Sequence, residues 1–315
     1  MKKALFLPLL LLFLPSLQAQ MIDLNTTVCY TKEMSQNFRK SSTRRYHRFL
    51  EKIDMFFSGS DEINKTCYRQ IRENKLQVVL SLKEGPAVNL HLRGKIVLPQ
   101  LKNRVELTFS QKDNQEIDNQ SASTGYDDIV NDSKLHVGLK YYLYRKKRSA
   151  AYGKLSFKLR APFGPYLKLG LDKSYLSETF LETSWDNALY YYLNGNDLAA
   201  STTVTFFKPV TPDYWVGQSN KLFWKGESTL YLTNSLTLYQ IFDLNNRIVY
   251  KTDYTTSWEK EEHFAHDSYS ISAGYFHRFD KWFFAELVPK LRKRRDNSYR
   301  TETLFTLNLG MLLGR

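Results

Sequence analysis

Hydrophobic and polar side chains alternate in the stretch Ala87–Leu98, AVNLHLRGKIVL. Its apolar residues, beginning with Val88 and Leu90, fall on one face of a strand, and Asn89 and His91 begin the other, because successive side chains of a strand point to opposite sides. The same alternation recurs to the end of the chain, in segments of roughly the 10 residues that a transmembrane β-strand needs. The pattern predicts a barrel rather than an isolated half-buried sheet.

About fourteen such segments follow one another from Leu76–Lys83 to Thr301–Leu312, and merging two weak ones would leave about twelve, both even numbers as in bacterial single-chain barrels. The predicted fold is an all-β membrane protein: an antiparallel up-and-down transmembrane β-barrel of about 12–14 strands over residues 76–315, after a short N-terminal periplasmic helical segment. Alternation is poor in Tyr214–Lys225, where we expect a bulge. The polar stretches Asp113–Ser133 and Glu259–Asp267 are predicted to be long extracellular connectors.

Composition agrees with a membrane barrel. Mean hydropathy is −0.46, and residues after 15 contain no apolar run that could form a spanning helix. A barrel needs only every second residue to be apolar, so low hydropathy is compatible with it. The chain has 21 Tyr and 20 Phe, and aromatic side chains favour the membrane–water interface. A secreted, aromatic-rich β-sandwich is the alternative fold.

The N-terminus has the features of a secretion signal. Lys2 and Lys3 precede the apolar core Ala4–Leu14, which is too short to span a membrane and remain there. Residues 1–19 are therefore predicted to be a signal peptide cleaved near Ala19. A signal peptide followed by a barrel predicts the outer membrane of a Gram-negative bacterium as the location.

Residues 20–75 differ from the barrel region. Glu33–Phe57 has apolar residues at spacings of three and four and basic residues on much of the other face, which predicts an amphipathic helix. Gly59 suits the left-handed conformation that ends a helix, and Ile63–Arg72 is predicted to be a second, short helix. We expect a cap packed under the barrel on the periplasmic side; the alternatives are a plug or a helix lying on the inner leaflet.

Cys29 and Cys67 are the two cysteines of the chain, and both lie in this helical segment. In an oxidising periplasm a lone pair favours a disulfide. A Cys29–Cys67 bridge would close a loop of about 38 residues and stabilise by ~3–4 kcal/mol on the chain-entropy model. The spacing of cysteine and histidine predicts no metal site.

The polar face of the strands is rich in charge, with basic groups dominant in the first half and acidic groups in the second. Unpaired charge in a narrow lumen is costly, so we expect ion pairs across it and a narrow or occluded interior. The residues predicted to line the lumen are Arg93, Lys95, Arg104, Lys140, Lys158, Arg160, Glu182, Asp186 and Glu286.

Four short motifs add a family resemblance. They are FLEKIDMFFSG at Phe49–Gly59, KIVLPQLKNR at Lys95–Arg104, APFGPY at Ala161–Tyr166 and WFFAELVP at Trp282–Pro289. Together they resemble a family of uncharacterised outer-membrane β-barrel proteins of Gram-negative bacteria. The resemblance implies fold and location, and it brings no activity and no site residues.

Two functions are open. The first is a porin-like, narrow channel for small anionic solutes; the second is a structural or interaction barrel without transport. An enzyme is not expected: the six histidines are scattered along the chain, and His263, His266 and Asp267 are the protease-like candidates. No cofactor is expected. The net charge of +13 favours lipopolysaccharide phosphates over nucleic acid for a secreted chain. The expected partners are outer-membrane lipid, lipopolysaccharide, the barrel-assembly machinery and a periplasmic protein.

Overall fold

The computed structural model describes residues 24–59, 65–71, 73–83, 88–101, 103–110, 136–158, 164–177, 181–226, 229–259 and 263–314, and within helix α1 the side chains of 37 and 39–58. The predicted signal peptide lies outside the described residues. The predicted long connector Asp113–Ser133 also lies outside them.

Two helices precede fourteen strands. Helix α1 is Leu24–Ser58 and helix α2 is Lys65–Ile71. The strands are β1 Lys75–Lys83, β2 Val88–Leu98, β3 Val105–Ser110, β4 His136–Lys146, β5 Ser149–Lys158, β6 Pro165–Leu176, β7 Glu182–Tyr192, β8 Asp197–Pro209, β9 Tyr214–Lys225, β10 Thr229–Ile241, β11 Asn246–Glu259, β12 His263–Asp280, β13 Phe283–Arg294 and β14 Glu302–Leu313.

Each strand pairs antiparallel with its neighbours in the chain, and β1 pairs with β14 to close the barrel. Closure leaves no unpaired strand edge, which a sheet in hydrocarbon requires. The predicted count of fourteen strands is thereby confirmed. The end of the barrel that carries Lys75 and Leu313 has two-residue connections at 147–148 and 281–282. Short turns mark the periplasmic side of outer-membrane barrels, so we call this the periplasmic end.

The register assigns each side chain to the lumen or to the outside. Leu139 on β4 pairs with Leu107 on β3 and Leu155 on β5, so these apolar residues share the outward face. Their neighbour Lys140 pairs with Glu106 on the inward face. An apolar exterior around a closed barrel is the architecture of a bacterial outer-membrane protein, and the predicted location is confirmed.

The strand edges differ from the prediction at two places. No register shift occurs where β9 pairs with β8 and β10, so the bulge expected in Tyr214–Lys225 is wrong. The connector predicted at Glu259–Asp267 is also wrong, because Trp258 pairs with Phe264 and Glu259 with His263. Polar residues beyond the hydrocarbon can extend a hydrogen-bonded ladder, and a register shift between Thr255 and Thr256 accompanies this extension.

Helix α1 ends at Ser58, and Gly59 follows with φ of +64° as expected for a helix terminus. The chain divides into two compact units between Arg44 and Arg45, and the second unit holds the end of α1 together with the barrel. No helix among the described residues has both the length and the apolar character needed to cross a bilayer.

The end of α1 packs against the outside of the barrel. Tyr46 and Leu50 are buried in one cluster with Ile96 and Leu98, which lie on the outward face of β2, and with Ile71 of α2. This differs from the predicted cap under the barrel, because the apolar face of the helix meets an apolar outer wall rather than the polar lumen.

The direction of α1 follows from two further contacts. Tyr46 lies beside Gly314, just after β14, and Asp54 lies against Gln100 in the 3-10 turn Pro99–Leu101 after β2. Tyr46 and Asp54 are eight positions apart, about 12 Å along the helix, which is close to the roughly 10 Å that separate β14 from β2 across β1. The part of the helix from Arg45 to Ser58 therefore follows the periplasmic rim.

Candidate pore lumen

Three lysines lie side by side on the inner wall. The register pairs Lys140 on β4 with Lys154 on β5, and Lys154 with Lys168 on β6. Like charges directly opposite each other on neighbouring strands are destabilising. This row, the lysine row, is therefore held in place by the contacts around it.

Tyrosine rings fill the spaces between these lysines. The Lys140 ammonium lies 3.5 Å from the centroid of the Tyr152 ring, and the Lys168 ammonium lies 5.1 Å from that of Tyr190. Cations over aromatic faces are attracted by the ring quadrupole. A Cβ placed on Gly170 would lie 2.2 Å from the Tyr152 ring, so only glycine lets this ring lie flat across β6. Neighbouring strands of this wall thus supply both the lysine charges and the aromatic rings that stabilise them.

Two carboxylates neutralise part of this wall. Asp172 on β6 forms an ion pair of 3.7 Å with Lys140. Glu106 on β3 accepts hydrogen bonds from the Tyr142 hydroxyl at 2.9 Å and from Arg145 at 3.1 Å. Glu106 is 1% exposed, so the bonds replace the water that a carboxylate would otherwise bind. Two carboxylates, Asp172 and Glu106, therefore lie beside the lysine row.

A second charged cluster occupies the opposite wall around Glu286 on β13. Asn308 on β14 donates to the Glu286 carboxylate at 3.0 Å, and Ser81 on β1 donates to the Asn308 amide oxygen at 2.5 Å. Arg93 and Arg247 attract the same carboxylate electrostatically. Charge pairing thus occurs along the inner wall among the described residues, and the expected ion pairs across the lumen stay a prediction.

Inward side chains are buried in both halves of the barrel, among them Phe284 near the periplasmic end. Tyr166 is 1% exposed and Lys168 5% exposed, although both point inward. His136 closes the same layer and lies 3.1 Å from the Tyr166 hydroxyl through its Nδ1. By contrast Asp186, on the inward face of β7 opposite Asp172, is exposed. Lys154 and Lys168 of the lysine row are thus buried by the side chains around them.

The predicted lining residues fall in three groups. Arg93, Lys140, Asp186 and Glu286 are on the inner wall. Residues at the periplasmic end are Lys95, Arg104 and Glu182, all three exposed, with Arg104 in the turn before β3 rather than within a strand. Lys158 has inward register opposite His136, but its side chain is outside the described residues, as is the whole of Arg160.

Sequence reasoning missed the aromatic lining of the lumen. It attributed the high aromatic content to the membrane interface, whereas Tyr142, Tyr152, Tyr166 and Tyr190 are all buried on the inward face. Their positions share the parity of Lys140, Lys154 and Lys168 within each strand, and this parity was the available signal. Tyrosine suits such a site because its ring packs while its hydroxyl remains able to hydrogen bond.

The remaining candidate residues are the histidine and aspartate of the protease-like set and the two cysteines. His266 contacts the Tyr254 hydroxyl through its Nδ1, and Asp267 is half-buried. No cluster of three potential metal ligands occurs among the described residues. Cys67 is a free thiol in the structure, while the Cys29 side chain lies outside the described residues, so the bridge between them stays a prediction.

No protein-family model and no curated protein matches the sequence. Among solved structures, a bacterial polysaccharide outer membrane secretin gives a TM-score of 0.48 at 12% identity, over 78% of this chain and 99% of its own. OmpT, an outer membrane protein of Vibrio cholerae, gives 0.45 at 9% identity over 76% and 95%. The KdgM porin in complex with disordered oligogalacturonate gives 0.36 at 7% identity over 76% and 99%.

Proposed function

We propose that the protein is a narrow outer-membrane channel for small anionic solutes, with the lysine row as its anion site. The observation that carries this proposal is the direct pairing of Lys140, Lys154 and Lys168 across three strands inside the barrel. A barrel with no use for anions would gain stability by replacing one of these like charges. An anion bound among the three lysines would offset the repulsion between them.

The surroundings of the row support a selective path rather than a wide pore. Asp172 forms an ion pair with Lys140, and the rings of Tyr152 and Tyr190 lie near the Lys168 ammonium. Ring faces stabilise an ammonium without cancelling its charge, so the positive potential remains available to a solute. The burial of Tyr166 and Lys168 predicts that only small solutes pass.

A structural barrel without transport is the second candidate, and the burial of many inward side chains favours it. Glu286 is fully buried, and the two successive hydrogen bonds that link it to Asn308 and Ser81 connect three strands from the inside. A lumen filled in this way also suits a protein that contributes rigidity or a surface rather than a path.

Planar-bilayer recording in a KCl gradient separates the two candidates. Wild-type protein should show small openings whose reversal potential is displaced toward the equilibrium potential of chloride. The double variant Lys154→Gln, Lys168→Gln should move that reversal potential toward zero. Lys173→Gln is the matched control, because Lys173 neighbours the row on β6 but has outward register and is exposed. Silence of correctly folded wild-type barrels would support the structural candidate. Equal shifts of the reversal potential in the control and in the double variant would show that the lysine row is not the anion site.

A further inference from the structure

The outward face of strands β7–β11 carries polar residues at mid-strand, including Thr252 on β11, whereas the described outward residues at mid-strand of the other strands are apolar. Asn187 pairs with Thr202 across β7 and β8, and Asn220 pairs with Asn234 across β9 and β10. These four residues form what we call the amide strip. They alternate with inward residues such as Asp186, so their register points them outward.

The remainder of the exterior shows what this position normally holds. At mid-strand the outward residues of the other strands are apolar, including Leu92 on β2, Leu139 on β4, Leu287 on β13 and Leu309 on β14. Lipid chains cannot hydrogen bond, so polar groups facing them are unfavourable. An amide strip confined to one side of the barrel therefore indicates contact with something other than lipid.

The chemistry of the strip is self-complementary. An asparagine side chain carries two N–H donors and a carbonyl acceptor, and a threonine hydroxyl both donates and accepts. Within the strip the Thr202 hydroxyl donates to the Asn187 amide oxygen at 2.9 Å, and this bond uses neither of the Asn187 N–H donors. Two copies of the strip that face each other can therefore both donate hydrogen bonds to one another and accept them.

We infer that the amide strip is the contact between two copies of this chain in the membrane. A two-fold contact places the same surface on both partners, which requires a surface complementary to itself. Polar side chains that hydrogen bond across a membrane interface favour association because their alternative is exposure to lipid. The strip meets both conditions, and it lies outside the lumen, so the inference goes beyond the proposed function.

The test compares two variants of the full chain in lipid vesicles at low protein density, with oligomeric state read by single-molecule photobleaching. Wild type should be dimeric, and Asn220→Leu with Asn234→Leu should be monomeric. The same double variant should resist unfolding at least as well as wild type, because it removes polar groups from the lipid-facing side. The matched control changes outward leucines on the far wall, Leu90→Ile with Leu287→Ile, and should remain dimeric.

A photoactivatable cross-linking residue at Gln218, which is exposed beside the strip, identifies the occupant in intact cells. An adduct of twice the mass of the mature chain is expected, and the same probe at Leu287 should give none. An adduct of a different mass would assign the strip to another membrane protein and overturn the inference. Monomeric wild type in vesicles, or a dimeric Asn220→Leu, Asn234→Leu variant, would overturn it as well.

Discussion

The Asn308 amide donates a hydrogen bond of 3.0 Å to the Glu286 carboxylate inside the barrel wall. This bond joins β14 to β13, and the bond from Ser81 extends it to β1, across the seam where the barrel closes. Closure of the first strand on the last is thus supported from the lumen by side chains as well as by the backbone ladder.

Removing the Glu286 carboxylate should destabilise the barrel strongly. Glu286→Ala removes the carboxylate that attracts both Arg93 and Arg247, and losing one partner of a buried charge pair costs about 3–5 kcal/mol. Reversible unfolding in lipid vesicles measures this loss. Glu182→Ala, at an exposed acidic residue that begins β7, should change stability by less than about 0.5 kcal/mol. Similar losses in both variants would contradict a special role for the Glu286 cluster.

The facing assignment of β4 predicts a depth-dependent cost. Leu139 faces outward at mid-strand, so Leu139→Arg should destabilise by ~2–4 kcal/mol. Leu143 lies four residues nearer the periplasmic end and is exposed, and Leu143→Arg should cost ~0–1 kcal/mol because it lies close to the interface. Urea titration of vesicle-folded protein gives both values. Equal costs would mean that β4 does not span the membrane with this register.

Packing of helix α1 on the outer wall should depend on Leu50. Leu50 is fully buried, and Leu50→Ala should weaken the contact by about 2–5 kcal/mol, the usual range for a buried leucine. Trypsin should then cleave at Arg45, Arg48 and Lys52 of the folded protein faster than in wild type. Phe56 is 80% exposed, so Phe56→Ala should leave the cleavage rate unchanged. If the cleavage rate changed in Phe56→Ala but not in Leu50→Ala, the helix face that carries Phe56 would be the one packed against the barrel.

The same contact should weaken as pH rises. Burial raises the pKa of Asp54, and the nearby Gln100 backbone opposes part of that rise. A carboxyl group whose folded-state pKa lies above its unfolded value stabilises the folded contact when protonated, and this stabilisation is lost as pH rises through the raised pKa. Hydrogen exchange of α1 amides, corrected for intrinsic rates, should therefore show greater protection in mild acid than at neutral pH.

Asp54→Asn should remove this pH dependence and keep the protection high at neutral pH, because the amide stays neutral. Glu51→Gln is the matched control on the same helix, at a half-buried position, and should retain the wild-type pH profile. A wild-type protection that rises with pH would contradict the assigned direction.

The sequence by itself determined the strands and the face to which each side chain belongs. Alternation at Ala87–Leu98 and in the later segments gave fourteen strands, and observed and predicted edges agree to a few residues for most of them. The physical reason is local: lipid requires apolar groups at every second position, and that requirement is written into each strand separately. The turn glycine Gly59 was equally readable, since its left-handed conformation depends on its own residue type.

Only the tertiary structure decided which of these side chains meet. Lys140, Lys154 and Lys168 become neighbours through the register of two hairpins, and no single strand contains that information. The missing bulge in β9 has the same origin, because Gln218 and Asn220 break the alternation of their strand while its register remains continuous. Helix α1 was predicted from its own periodicity, but its place against Ile96 and Leu98 depends on the outward face of strands that follow it in the chain. Periodicity fixes the side of a strand on which a residue lies; the residue that it contacts is fixed by pairing and closure.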